Sequence, residues 1–126
     1  MKLFKMTNGT NVVFFEAYDT KEATHKAINL ADHSKSVRID EIERINFTRV
    51  KNDVNGNPRY VVHFLNLLSN EEQNNLSISQ KYAVALAKSR KIGGRKFHNK
   101  QYGGGIVFQS YNTTDLEKHI LKLKEA

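Results

Sequence analysis

Ile45-Asn46-Phe47-Thr48-Arg49-Val50-Lys51 and Arg59-Tyr60-Val61-Val62-His63-Phe64-Leu65-Asn66-Leu67 are two runs rich in β-branched and aromatic residues. Between them stands Asn52-Asp53-Val54-Asn55-Gly56-Asn57-Pro58. Turn formers at this density between two strand-like runs specify a β-hairpin. Apolar side chains occupy both faces of residues 60–65, so the second run predicts a central strand covered on both sides.

The pattern extends outward from this hairpin. On the amino-terminal side, Lys2–Met6 and Asn11–Ala17 predict another hairpin around Thr7-Asn8-Gly9-Thr10, where Asn-Gly is the turn signal. Asp19 and Glu22 have the spacing of a capped helix start, and Ala23, Ala27, Leu30 and Ala31 follow as a helical stripe. Val37–Ile39 predicts a short strand, after which Asp40-Glu41-Ile42-Glu43 breaks the alternation. On the carboxyl side, Ser69–Ser77 is polar and predicts a loop with at most a loose helical turn. Ile78–Ile92 predicts a helix with Ile78, Tyr82, Ala85, Leu86, Ser89 and Ile92 on one face, stopped by Gly93-Gly94. Arg95–Tyr102 reads as a short hairpin or mobile arm. Ile106–Tyr111 reads as a strand. Asn112-Thr113-Thr114-Asp115 opens a last helix, with Thr114 and Glu117 as an alternative capping box and Leu116, Ile120 and Leu123 facing inward.

Hairpins dominate this order, which predicts an α+β fold: a mainly antiparallel sheet with about three helices covering one face. A chain of 126 residues suits one domain, 1–126, with 1–44 (β-β-α-β) and 45–126 (β-β-α-β-α) as its natural sub-units. With no cysteine, disulfides, thiolate zinc sites, iron–sulfur clusters and a cysteine nucleophile are excluded. The longest apolar run near the amino terminus is Val12-Val13-Phe14-Phe15, shorter than the roughly 7–15 residues of a signal peptide or the roughly 20 of a membrane span. The expected location is the cytosol, with no membrane partner.

Charge is the strongest signal. The formal net charge is +7. Residues 1–77 hold ten Lys/Arg and ten Asp/Glu, and residues 78–126 hold ten against three. Between Glu72 and Asp115 no acid occurs, while Lys81, Lys88, Arg90, Lys91, Arg95, Lys96 and Lys100 do. Asymmetry of this kind points to a polyanion or an acidic partner surface.

Asn55–Phe64, Gly93-Gly94-Arg95-Lys96-Phe97 and Gly103–Tyr111 together resemble segments of short accessory proteins carried by phages and other mobile elements of Gram-positive bacteria. The resemblance spans about residues 45–120. It implies a bacterial host cytosol and an accessory role, and it carries no site residue.

Candidate site residues therefore come from charge and aromatic placement. Lys81, Lys88 and Lys91 fall within roughly an 80° arc of the Ile78–Ile92 helix. Arg95, Lys96 and Lys100 continue the series. Tyr82, Phe97, Tyr102, Phe108 and Tyr111 are interleaved with them. Cations that follow phosphates and aromatics that stack on bases make a single-strand surface, and the cations alone serve duplex contact without sequence preference. The expected site is Lys81, Lys88, Lys91, Arg95, Lys96, Phe97, Lys100 and Tyr102, and the expected partner is DNA or RNA. Tyr82 and Phe108 lie on apolar faces and are expected in the core. The competing expectation is a protein-binding module whose basic face occupies an acidic host protein, and exposed hairpin edges also allow a homodimer. Gly93-Gly94 and Gly103-Gly104-Gly105 fit neither a P-loop nor Gly-x-Gly-x-x-Gly. His25, His33, His63, His98 and His119 form no metal-binding pair, and Asp40, Glu41 and Glu43 read as a solvated acidic edge. No catalytic constellation stands out, so a non-enzyme without metal or cofactor is expected.

Overall fold

The computed structural model describes residues 1–97 and 104–125. It divides into two compact units, Met1–Arg44 and Ile45–Ala126. Among the described residues the architecture is α+β, with antiparallel sheets and four α-helices.

In the first unit, β1 (Lys2–Asn8) lies between β2 (Asn11–Ala17) and β3 (Val37–Ile42), and both neighbours are antiparallel to it. Asn8 pairs with Asn11, so the two-residue turn is Gly9-Thr10 rather than Asn8-Gly9. Gly9 supplies the left-handed φ of 63° that the first position of such a turn requires. Helix α1 (Thr20–Leu30) starts where Asp19 Oδ1 accepts the Glu22 N–H at 2.8 Å. It packs on the sheet through Ala23 and Ala27, whose small side chains admit it close to Phe4, Met6, Phe15 and Ala17. Phe4 and Phe15 are cross-strand partners stacked at 6.0 Å. Each such buried side chain contributes roughly 1.5–3 kcal/mol. Leu30 leaves the expected stripe and is 56% exposed, because the helix ends there. β3 continues through Asp40-Glu41-Ile42, as Glu41 pairs with Lys2 at 3.3 Å and Asp40 with Arg38 at 3.0 Å.

Asn8, 2% exposed, ties this unit together. Its Nδ2 donates to the carbonyls of Asp32, Lys35 and Ser36, and its Oδ1 accepts the Asp32 N–H at 2.7 Å.

The second unit is a four-stranded antiparallel sheet in the order β4 (Thr48–Val50), β5 (Arg59–His63), β7 (Gly105–Gln109), β6 (Arg95–Lys96). β5 is central, with Val61 and Val62 buried on its opposite faces. The strand stops at His63 instead of running to Leu67. The His63 ring nitrogen accepts the Leu65 N–H, and Phe64–Leu67 closes into a 3-10 turn. Residues 69–77 are more ordered than a polar loop. Ser69 and Glu72 form a reciprocal capping box on α2 (Asn70–Asn75), and Ser77 and Gln80 form another on α3 (Ile78–Arg90). Ile78 is 78% exposed, so the buried face of α3 runs through Ala85 and Ser89. Asn112 Oδ1 accepts the Thr114 and Asp115 N–H groups at the start of α4 (Thr113–Glu125). Glu117 is therefore no cap: it is buried and accepts the Ile45 N–H at 2.9 Å. Leu116, Ile120 and Leu121 are the inward residues of α4.

α2 is joined to α3 by Lys88 and Glu72, whose charged atoms are 2.5 Å apart. Burial alone would raise the Glu72 carboxyl. The Lys88 ammonium and Ser69 outweigh it, so Glu72 titrates below its ordinary value of 4.5.

Asn8→Ala should lower the unfolding free energy by about 1–3 kcal/mol, since it leaves three carbonyls and one N–H without their partner. Urea titration measures this, and an unchanged midpoint would show that the 32–36 loop holds itself. Glu72→Gln should lower stability at neutral pH. Because the folded carboxyl titrates low, the wild-type advantage is complete above 4.5 and disappears as pH falls through the lower folded value. Urea midpoints of both proteins across that range would converge; a constant difference would contradict the ion pair's role.

Candidate nucleic-acid interface

The carboxyl end of α3 is closed by two hydrogen bonds, from the Gly94 N–H to Ser89 O at 2.8 Å and from the Gly93 N–H to Arg90 O at 3.3 Å. This is a Schellman closure, and Gly93 carries its left-handed φ of 83°. Gly94 is needed for space. A Cβ there would stand 2.5 Å from Ser89 Cβ and 2.7 Å from Phe108 Cε1. The turn thus clamps the helix end onto β7 and delivers the chain directly into edge strand β6. Arg90, Lys91, Arg95 and Lys96 are thereby gathered around one tight turn, and all four are exposed. Their charges also complement the negative end of the α3 dipole.

β6 alternates its side chains across the sheet. Lys96 pairs with Ile106 and lies on the α3 side, where its Nζ is 6.0 Å from the Tyr82 ring centroid. Arg95 pairs with Val107 on the opposite face. A cleft of about 380 Å³ follows the edge, lined by Arg90, Gly93, Gly94, Arg95 and Lys96. A second, of about 460 Å³, opens on the Arg95 face and is lined by Arg59, Gln109, Val107, Ile92, Tyr111 and Asp53, along with Gly93 and Arg95.

The expected site residues divide into three groups. Lys91, Arg95 and Lys96 are exposed at the turn. Lys81 is half-buried near the start of α3. Lys88 keeps only 12% of its side chain exposed and is held by Glu72, so it belongs to the α2–α3 joint rather than to the basic surface. Phe97 is half-buried and donates its N–H to Gly105 O. Lys100 and Tyr102, with most of the expected arm, lie outside the described residues. Phe108 is buried, as its apolar face implies, whereas Tyr82 is only half-buried and packs edge-on against Phe64 at 5.5 Å. Arg90 and Arg59 join the site without having been selected by sequence. Arg90 stands in the last turn before the glycines, which is a readable signal. Arg59 reaches the cleft only through the register that sets it beside Gln109, and sequence offers no signal for that.

Electrostatically the two units differ. In the first, seven Lys/Arg face seven Asp/Glu, and Lys2, Lys26, Arg38 and Arg44 are in ion pairs. The second holds 13 Lys/Arg against six Asp/Glu and carries the whole excess. Arg90, Lys91, Arg95 and Lys96 have no acidic partner among the described residues. Asp53 lines the second cleft, where its charge also acts on Arg59, and is engaged by its own loop. It accepts the Asn55 and Asn57 N–H groups and the Asn57 side-chain amide, and the Asn57 backbone bond foremost holds its carboxyl below the usual range. Among the described residues no group of acids and histidines is placed to hold a metal ion, and no helix is long and apolar enough to cross a membrane.

Gly94→Ala should destabilise the protein by about 1–3 kcal/mol through overpacking, read as a lowered urea midpoint. An unchanged midpoint would mean the helix end is not clamped as described.

No curated protein and no solved structure matches the chain. A family match does exist. It covers residues 39–126, which include the entire second unit and, of the first, only residues 39–44. The basic turn and both clefts fall inside it, and on this match the chain belongs to the family of the Staphylococcus phage terminal repeat-encoded protein TreK.

Proposed function

We propose that this phage-family protein is a non-enzymatic accessory factor that binds nucleic acid with little sequence preference. The contact surface is Arg90, Lys91, Arg95 and Lys96. One observation carries the reading: four exposed cations surround a rigid turn, with no acidic partner among the described residues. Cations left unpaired in this way neutralise phosphates and release condensed counterions, which gives affinity without base readout. An acidic host protein is the other polyanion-like partner that these cations fit.

Fluorescence anisotropy with labelled oligonucleotides tests this. Neutralising about four phosphates gives a slope of log affinity against log salt of roughly −3 to −4. Replacing Arg95 and Lys96 together by alanine should weaken binding equally for all sequences and make the slope shallower by about 1.5–2. Absence of binding to any oligonucleotide at roughly 50 μM in low salt would end this proposal and direct the search to acidic proteins of the host.

A further inference from the structure

We infer that the cleft of about 460 Å³ on the Arg95 face is a subsite for one unpaired nucleotide, its base stacked on Tyr111 and its phosphate between Arg59 and Arg95. This rests on the nucleic-acid reading above and adds strandedness to it. Tyr111 is 77% exposed, a large exposure for an aromatic ring. It is nonetheless fixed. Its hydroxyl bonds to the Asn57 side-chain oxygen. Asn57 is itself held by Asp53 through its backbone N–H at 2.8 Å and its side-chain amide at 3.1 Å. Mobile exposed rings lose rotamer freedom on binding, and a ring already held does not. Arg59 is oriented as well, since its Nε donates to Lys51 O at 2.8 Å and leaves the terminal nitrogens of the guanidinium for a ligand. Arg59 and Gln109 are cross-strand partners, and Arg95, which pairs with Val107 two residues before Gln109, stands across β7 from Arg59 on the same face. Two guanidiniums, an amide, a fixed aromatic ring and the Asp53 carboxylate, which is occupied by hydrogen bonds from its own loop, thus line one cleft. Guanidiniums match phosphate oxygens, and the ring matches a base face of any identity. A base paired within a duplex has its faces covered by its neighbours and offers neither to Tyr111.

The test compares wild type, Tyr111→Ala and Tyr111→Phe on three probes of ~12 units: oligothymidylate, oligouridylate and a DNA duplex. Tyr111→Ala should lose roughly five- to hundredfold in affinity for both single strands, while duplex affinity stays within about twofold. Tyr111→Phe keeps the ring and loses the tether, so it should fall between. The chain has five tyrosines and no tryptophan, so tyrosine emission reports stacking. Single strands should quench wild type more than Tyr111→Ala. If only one of the two single strands responds to Tyr111→Ala, the subsite reads the sugar or the pyrimidine methyl group as well, and a sequence-blind platform is refuted. Equal loss on single strands and duplex, or no loss on either, overturns the subsite while leaving the general binding surface standing. No binding by wild type to any probe overturns both. Unchanged thermal midpoints of the variants show that the fold is intact.

Discussion

The contact of Gly94 with Ser89 and Phe108 is the constraint on which the second unit depends. A helix and an edge strand that follow each other in sequence must reverse direction within a few residues, and here there is no room for a side chain at the crossing. Ser89 is small and fully buried, and its hydroxyl returns to the Leu86 carbonyl, so it needs no other partner. Phe108 fills the remaining space from β7. The helix end, the turn and the strand are thus one packed object. The backbone positions from which Arg90, Lys91, Arg95 and Lys96 project are thereby fixed close together.

Charge is distributed unevenly between the two units. The first unit pairs its cations locally, through the i,i+4 pair Glu22–Lys26 and the cross-strand pair Lys2–Glu41. The second spends one lysine on structure, Lys88 with Glu72, and gives Arg90, Lys91, Arg95 and Lys96 no acidic partner among the described residues. Exposed ion pairs add little to stability, so acids beside Arg90 or Arg95 would gain the fold little. They would cancel the local potential.

Much of this was legible from residue order. Turn chemistry revealed the 45–67 hairpin, the caps at Asp19 and the stop at Gly93-Gly94, because each is a local requirement met by particular residue types. Ser69-x-x-Glu72 and Ser77-x-x-Gln80 were equally local signals. They were outweighed by the polarity of residues 69–77, which suggested a loop where two capped helices form. Other features depend on tertiary partners. Ile78 satisfies the helical period yet faces solvent, since the period identifies a face but not what covers it. Lys88 has the same angular position as its neighbours on α3, and only the approach of α2 separates it from them. Arg59 reaches the cleft by strand register, which no local pattern encodes.

The placement of Arg95 and Lys96 on opposite faces of β6 has a consequence for what can use both. A ligand touching them together must pass around the sheet edge within the width of one strand. Duplex DNA, with a persistence length of about 50 nm, resists bending on that scale. A single strand turns at each backbone bond and can place successive phosphates on either side of an edge. Arg95 and Lys96 are both exposed, and the glycines before them hold the backbone close to the helix end. If the protein binds nucleic acid as proposed, the geometry of the cations, apart from any aromatic ring, therefore favours a flexible polyanion over a stiff one.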